Sequence, residues 1–135
     1  TDHLLQRAEC SGKVGPMGFW LGGGLAYLAA TRSRVDGRGP EAVVPYYGSI
    51  INELLGEVDR LECPVLFHYG DNDPFIPTDN IDEVERAVAG KPDVAIHRYA
   101  AGHAFSNWDA PSMYDAGAAD EAWARTLGFL DRHLR

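Results

Sequence analysis

The sequence predicts an α/β fold: about four parallel strands in one sheet, with helices on both faces. Three observations point there. Short apolar runs alternate with helical patterns from one end of the chain to the other, the order β-α-β-α-β-α-β-α. The run at 64–69 (PVLFHY) is almost unbroken in its apolarity, as strands covered on both faces are. The connections between runs are short, which makes consecutive strands neighbours joined by right-handed crossovers. The chain has 135 residues, enough for a single domain with its own core.

The elements follow in order. Residues 2–10 read as a short helix or the tail of one. Residues 13–18 (KVGPMG) are the first strand. Residues 21–32 form a helix, with Leu21, Leu25 and Leu28 at helical spacing. Residues 42–46 (AVVPY) are a short strand, and 50–60 are helical although Gly56 interrupts the pattern. The strand at 64–69 precedes a helix over 79–90, with Thr78 as its N-cap and Gly90 as its stop. Residues 93–99 are the last strand. The last helix spans 115–134, where Ala119, Ala122, Trp123, Leu127, Leu130 and Leu134 keep a helical period.

Composition excludes several roles. The net charge of −8 repels nucleic acid and anionic membranes, so neither is an expected partner. No apolar run approaches the roughly 20 residues of a membrane span, and no signal peptide is visible. Cys10 and Cys63 form neither a CxxC pair nor a metal-spaced cluster; Cys63, ahead of Pro64 and an apolar run, reads as a buried free thiol, and a cytoplasmic location is the expectation. His3, His68, His97 and His133 have no partners at ligand spacing, so neither a metal nor a cofactor is expected. The chain starts at Thr1 rather than Met, which reads as a processed, cut or internal start.

In open parallel sheets, ligands sit beyond the carboxyl ends of the strands. Three loops leave those ends. The first is GFWLGG, where Gly18 and Gly22 bracket Trp20. A nucleophile elbow needs small neighbours because its turn is too tight for side chains. The bland reading of the same glycines is close helix–strand packing. The second loop, 70–77 (GDNDPFIP), offers Asp73 as an acid that orients a histidine; it reads equally as a solvated turn. The third, 99–105, offers His103 as a general base, or as an ordinary histidine. Each is weak alone, but together they run elbow, acid, histidine, the chain order of an α/β-hydrolase triad.

With these residues in place, the chain resembles the C-terminal portion of the dienelactone hydrolase family. The likeness runs from about Lys13 to Leu134, through KVGPMGFWLGGGLAYLAA, AVVPYYG, CPVLFHYGDNDPFIP, YAAGHAFSN and AWARTLGFLDRHL. The resemblance implies a truncated α/β-hydrolase-like three-layer sandwich and ester or lactone hydrolysis. It implies a cysteine nucleophile in a G-x-C-x-G-G elbow, with aspartate and histidine partners. By position Asp73 matches the acid, His103 the base, and the Leu21 amide one oxyanion donor. A small ester or lactone is the implied ligand.

Trp20 falls where the family has its thiol, and an indole cannot form an acyl-enzyme. The elbow is therefore expected either to have relaxed or to offset its strain by burying the indole. The family's front half has no counterpart here, so the strand at 13–18 becomes an edge, which Pro16 suits. A homo-oligomer, or an N-terminal half-domain, is expected to cover that edge. Ser106-Asn107 stand where some members carry a carboxylate-binding arginine. The functional expectation is a family member that is impaired or inactive as a hydrolase. Two alternatives stand beside it. One is a hydrolase using Ser49 or Ser106. The other is a non-catalytic small-molecule-binding or oligomeric interaction module whose Phe19, Trp20, Tyr46, Tyr47, Phe75, Phe105 and Trp108 line an apolar pocket.

Overall fold

A computed structural model of the protein describes residues 2–135; the reading of Thr1 lies outside them. Four parallel strands form one sheet in the order β1-β2-β3-β4: β1 (Met17–Phe19), β2 (Val44–Tyr46), β3 (Val65–Gly70) and β4 (Val94–Tyr99). The helices are α1 (Asp2–Leu5), α2 (Leu21–Arg32), α3 (Thr78–Val88) and α4 (Ala116–Leu134), with a 3-10 helix over Ile51–Arg60. All six residues of β3 are buried, as the unbroken apolar run predicts for a strand covered on both sides.

Side-chain alternation along β3 separates the layers. The Phe67 ring faces Tyr27 of α2, while the next residue, His68, bonds Thr126 of α4. Helices α2 and α4 therefore lie on opposite faces. The sheet-facing side of α2 is built from Gly23, Gly24, Ala26, Tyr27, Ala30 and Thr31 rather than from its leucines. Leu21 and Leu25 are exposed, so their spacing marks the helix correctly but not its buried side. The small residues let α2 approach closely: a Cβ on Gly23 would lie 2.7 Å from the Gly48 Cα.

Several boundaries differ from the sequence expectation. The helix expected over 2–10 is one short turn with no buried side chain, too short to persist without packing. The first strand begins at Met17 because Pro16 has no N–H to give the ladder; its carbonyl still accepts from Val44 N–H at 3.0 Å. The segment 51–60 winds as a 3-10 helix, whose period of three aligns Leu54 with Glu57. The Leu54 carbonyl accepts from Tyr27 Oη and the Glu57 carboxylate from Thr31 Oγ1, both on α2. Thr78 is the first residue of α3 and caps nothing; Pro77 occupies the cap position. Asp115 is the cap of α4, its carboxylate accepting the Ala118 N–H at 2.9 Å.

Strand β1 is an edge. Pro16 and Trp20 bond β2, so the alternation of a parallel ladder turns the N–H and C=O of Met17 and Phe19 to the open side. The stripe of α4 is likewise only partly covered: Ala122 is buried, but Trp123 and Leu127 are exposed. No helix among the described residues is long and apolar enough to cross a membrane.

Candidate active site

The turns after β1, β2, β3 and β4 meet at one end of the sheet. Trp20, at the β1–α2 junction, keeps φ 53° and ψ −119°, a sparsely populated conformation that costs a bulky residue about 1–3 kcal/mol. Three contacts hold its carbonyl: Gly23 N–H at 3.0 Å, Gly24 N–H at 3.2 Å and Ser49 N–H at 3.1 Å. Of the two expected reliefs, relaxation has not happened, and the indole is only partly buried, 38% exposed. Tyr47, Ile50 and Ala104, also in loops at this end, have positive φ as well. Strain is thus concentrated around the candidate site.

The glycines of this turn divide in function. A Cβ on Gly18 would sit 2.0 Å from the Gly22 carbonyl oxygen, so only glycine fits there. A Cβ on Gly22 would meet nothing within 4 Å. The expectation that both glycines are sterically required is corrected: the crowding falls on Gly18 and, one residue beyond Gly22, on Gly23. Leu21 is the first residue of α2, and its N–H has no protein acceptor among the described residues. It is an orphan donor of the helix start.

Asp73 lies in the turn after β3 and is buried. Its Oδ1 accepts the N–H groups of Phe75 at 2.8 Å and Ile76 at 3.1 Å. Its Oδ2 lies 2.7 Å from His103 Nδ1. One oxygen therefore folds the loop, and the other fixes the imidazole with Nδ1 as donor, leaving Nε2 to take a proton. The loop at 70–77 is a turn, but the Asp73 carboxylate is buried rather than solvated and bonds both the loop backbone and His103.

The indole of Trp20 packs edge-on against His103, ring centroids 3.9 Å apart at 76°; Phe75 and Tyr47 stand 5.0 and 5.3 Å from the same imidazole. The structure thus brings Trp20, Leu21, Asp73 and His103 together. Neither Ser49 nor Ser106 hydrogen-bonds His103. The Ser106 hydroxyl is buried without a partner of good geometry, beside Tyr47, whose phenol is pushed up to about 12 by burial against the opposing pull of that hydroxyl. A cavity of about 330 Å³ opens beside Trp20, lined by Phe19, Tyr47, Ser106 and Trp108 among others. Of the other proposed pocket aromatics, Phe75 packs on Trp20, whereas Tyr46 and Phe105 are fully buried in the core.

A polar network beneath the site was not evident from sequence. His68, wholly buried, bonds Tyr99 Oη through Nδ1 (2.9 Å) and Thr126 Oγ1 through Nε2 (3.0 Å). Thr126 also meets Tyr46 Oη at 2.7 Å, and Arg125 donates to Tyr99 Oη at 3.1 Å. Burial, with the positive fields of His97 and Arg125, lowers the His68 pKa to about 3, so the ring is neutral. Only the alternation of β3, which turns residue 68 toward α4, could have signalled it. No group of three or more His, Cys, Asp or Glu among the described residues is arranged to hold a metal.

Comparison with known proteins accords with this geometry. The chain is 37% identical over 121 residues to a carboxymethylenebutenolidase of Pseudomonas putida, covering 89% of this chain and 49% of that one. It is 33% identical over 123 residues to a carboxymethylenebutenolidase of a Pseudomonas species, covering 91% and 49%. The crystal structure of a dienelactone hydrolase-like promiscuous phosphotriesterase from metagenomic libraries superposes with a TM-score of 0.84 at 25% identity, covering 99% of this chain and 58% of that one. The chain spans about half the length of the curated relatives it matches. The model of the dienelactone hydrolase family matches residues 2–134, and the chain belongs to that family, with its α/β ester and lactone hydrolase fold.

Proposed function

We propose that this chain keeps the acid–histidine pair of an ester or lactone hydrolase but is blocked at the acyl-transfer step, so that its hydrolase activity is impaired or absent. Trp20 carries the reading. At the strained turn, in the position that presents a nucleophile, stands a side chain with no nucleophilic atom, its ring 3.9 Å from the imidazole that would activate one. In the family's route His103 takes the nucleophile's proton, Asp73 holds the imidazole tautomer and the Leu21 N–H meets the developing oxyanion. Here the base and its orienting acid are in place, but the atom they serve is missing. The test is hydrolysis of p-nitrophenyl acetate by the purified chain beside His103→Ala. Equal rates are expected; a wild-type rate well above the variant's overturns the proposal.

A second reading is a non-catalytic binding module for a small ester, lactone or acid. The cavity beside Trp20 favours it. Such ligands then shift the fluorescence of Trp20 without being turned over, and a wholly insensitive emission removes this reading. We infer that a homo-oligomer, or an N-terminal half-domain, covers the open β1 edge.

A further inference from the structure

Arg98, on β4, joins both ends of the loop that carries Asp73. Its Nε donates to Asp71 Oδ1 at 2.6 Å; its Nη1 donates to Asp82 Oδ1 at 2.7 Å and to Glu85 Oε2 at 3.2 Å. Asp71 stands at the entrance of the loop at 70–77, two residues ahead of Asp73, and Asp82 and Glu85 lie on α3, just past its exit. The ladder sets Arg98 opposite Tyr69, near the end of β3, and its strand leads on to His103. One guanidinium thus fastens three elements: the strand that leads to the base, the start of the acid's loop and the helix that follows that loop.

Charge makes this brace hard to replace. The Arg98 side chain is 24% exposed, and three carboxylates converge on it. No other cation pairs with them among the described residues. Without it, Asp71 at the entrance and the two carboxylates past the exit repel one another and push the loop's ends apart. Two backbone bonds also hold the entrance: Asp71 N–H to the Tyr99 carbonyl at 2.8 Å, and Asn72 N–H to the Ala101 carbonyl at 3.0 Å. They tie it to the chain leaving β4 and do not reach α3. A planar fork can hold the loop and the helix at once; a lysine ammonium, a single point of charge, does so less well. We propose that Arg98 is a positioning residue for the Asp73–His103 pair: its brace sets where the Asp73 carboxylate meets the imidazole. This role rests on the proposed reading of that pair as a base and its orienting acid, and it holds whether or not the chain turns a substrate over.

The test follows two NMR signals in the full chain. One is hydrogen exchange of the Phe75 and Ile76 N–H groups, which Asp73 Oδ1 accepts, relative to Phe67 in the buried strand β3. The other is the pair of His103 ring-nitrogen shifts, read where the ring is neutral, which report how firmly Nδ1 keeps the proton. Arg98→Met keeps the aliphatic stem and removes the fork. It is expected to speed exchange at Phe75 and Ile76 about five- to thirtyfold more than at Phe67, and to move the His103 shifts toward a mixture of tautomers. Asp71→Asn changes both signals in the same direction by less, and Arg98→Lys recovers part of what Arg98→Met loses. Val43→Ala, a cavity in the core at the opposite end of the sheet, lowers overall stability and leaves both signals as in wild type. Unchanged signals in Arg98→Met overturn the proposal, and so does an equal change in Val43→Ala, which would make the effect one of general stability. If Arg98→Met does not fold, Asp71→Asn decides by the same two outcomes. Turnover of p-nitrophenyl acetate by the wild type would remove the blocked-hydrolase reading alone and leave these signals as expected.

Discussion

On the proposed reading of Trp20, replacing it with cysteine supplies a nucleophile at the strained turn, and the structure sets how much activity should then appear. The backbone is already poised: φ 53° and ψ −119° at residue 20, three hydrogen bonds on its carbonyl, and His103 fixed by Asp73 at 2.7 Å. A thiol activated by a positioned base gains about 10²–10⁴-fold from proton transfer. Against this stands the oxyanion hole. Leu21 supplies one N–H, but α/β-hydrolases draw a second from a loop after an earlier strand. This chain has no strand ahead of β1 among its described residues. One missing donor costs about 10²–10³ in rate. The two effects leave a net factor of about 0.1 to 100, so Trp20→Cys is expected to hydrolyse p-nitrophenyl acetate no more than about a hundredfold faster than Trp20→Ala. Both are measured by p-nitrophenolate release, with Trp20→Cys/His103→Ala as the background. A gain above about 10³-fold would refute the reasoning, because the thiol would then be working without the second donor.

The two elbow glycines should respond oppositely. Gly18→Ala forces a Cβ to 2.0 Å from the Gly22 oxygen, and the protein is expected to lose most of its urea stability or to express insolubly. Gly22→Ala, in open space inside a helix, is expected to be neutral or to stabilise by up to about 1 kcal/mol. The buried His68 gives the fold an acid limit. Its folded pKa of about 3 lies below the unfolded value near 6.5, so between those values the unfolded state binds the extra proton. Stability is complete above about pH 6.5 and falls toward pH 3, by up to about 1.4 kcal/mol per pH unit from this ring. Urea midpoints across that range should flatten in His68→Gln, and an unchanged slope would exclude His68 as the source. The β1 edge predicts association: light scattering at micromolar concentration should give a dimer or larger, and Phe19→Lys should shift it toward monomer. A clean wild-type monomer counts against the edge argument.

Much of this was legible in the sequence because the signals were local. Alternating apolar runs gave four parallel strands, and the loops after them contain the residues that meet at the site. Asp73 and His103 are 30 positions apart, yet both follow strands that pair in register, so strand order alone placed them side by side. What the sequence hid depends on which side of an element is covered. Leu21, Leu25, Trp123 and Leu127 have helical spacing but point into solvent, because helix period reveals a stripe and not its partner. Gly22 looked equivalent to Gly18, and only the backbone path shows that the crowding falls on one of them. Nor could spacing separate α from 3-10 winding over 51–60; contacts to Tyr27 and Thr31 of α2 accompany the tighter turn.

The central claim is that no acyl group can be carried by this polypeptide, since an indole stands where sulfur would attack. Intact-mass spectrometry during exposure to p-nitrophenyl acetate, quenched in acid within the first turnovers, tests it directly. The account predicts that no site-specific acetyl adduct accumulates and that the spectrum matches that of His103→Ala. A His103-dependent adduct, on Ser49, Ser106 or any other residue, would contradict it.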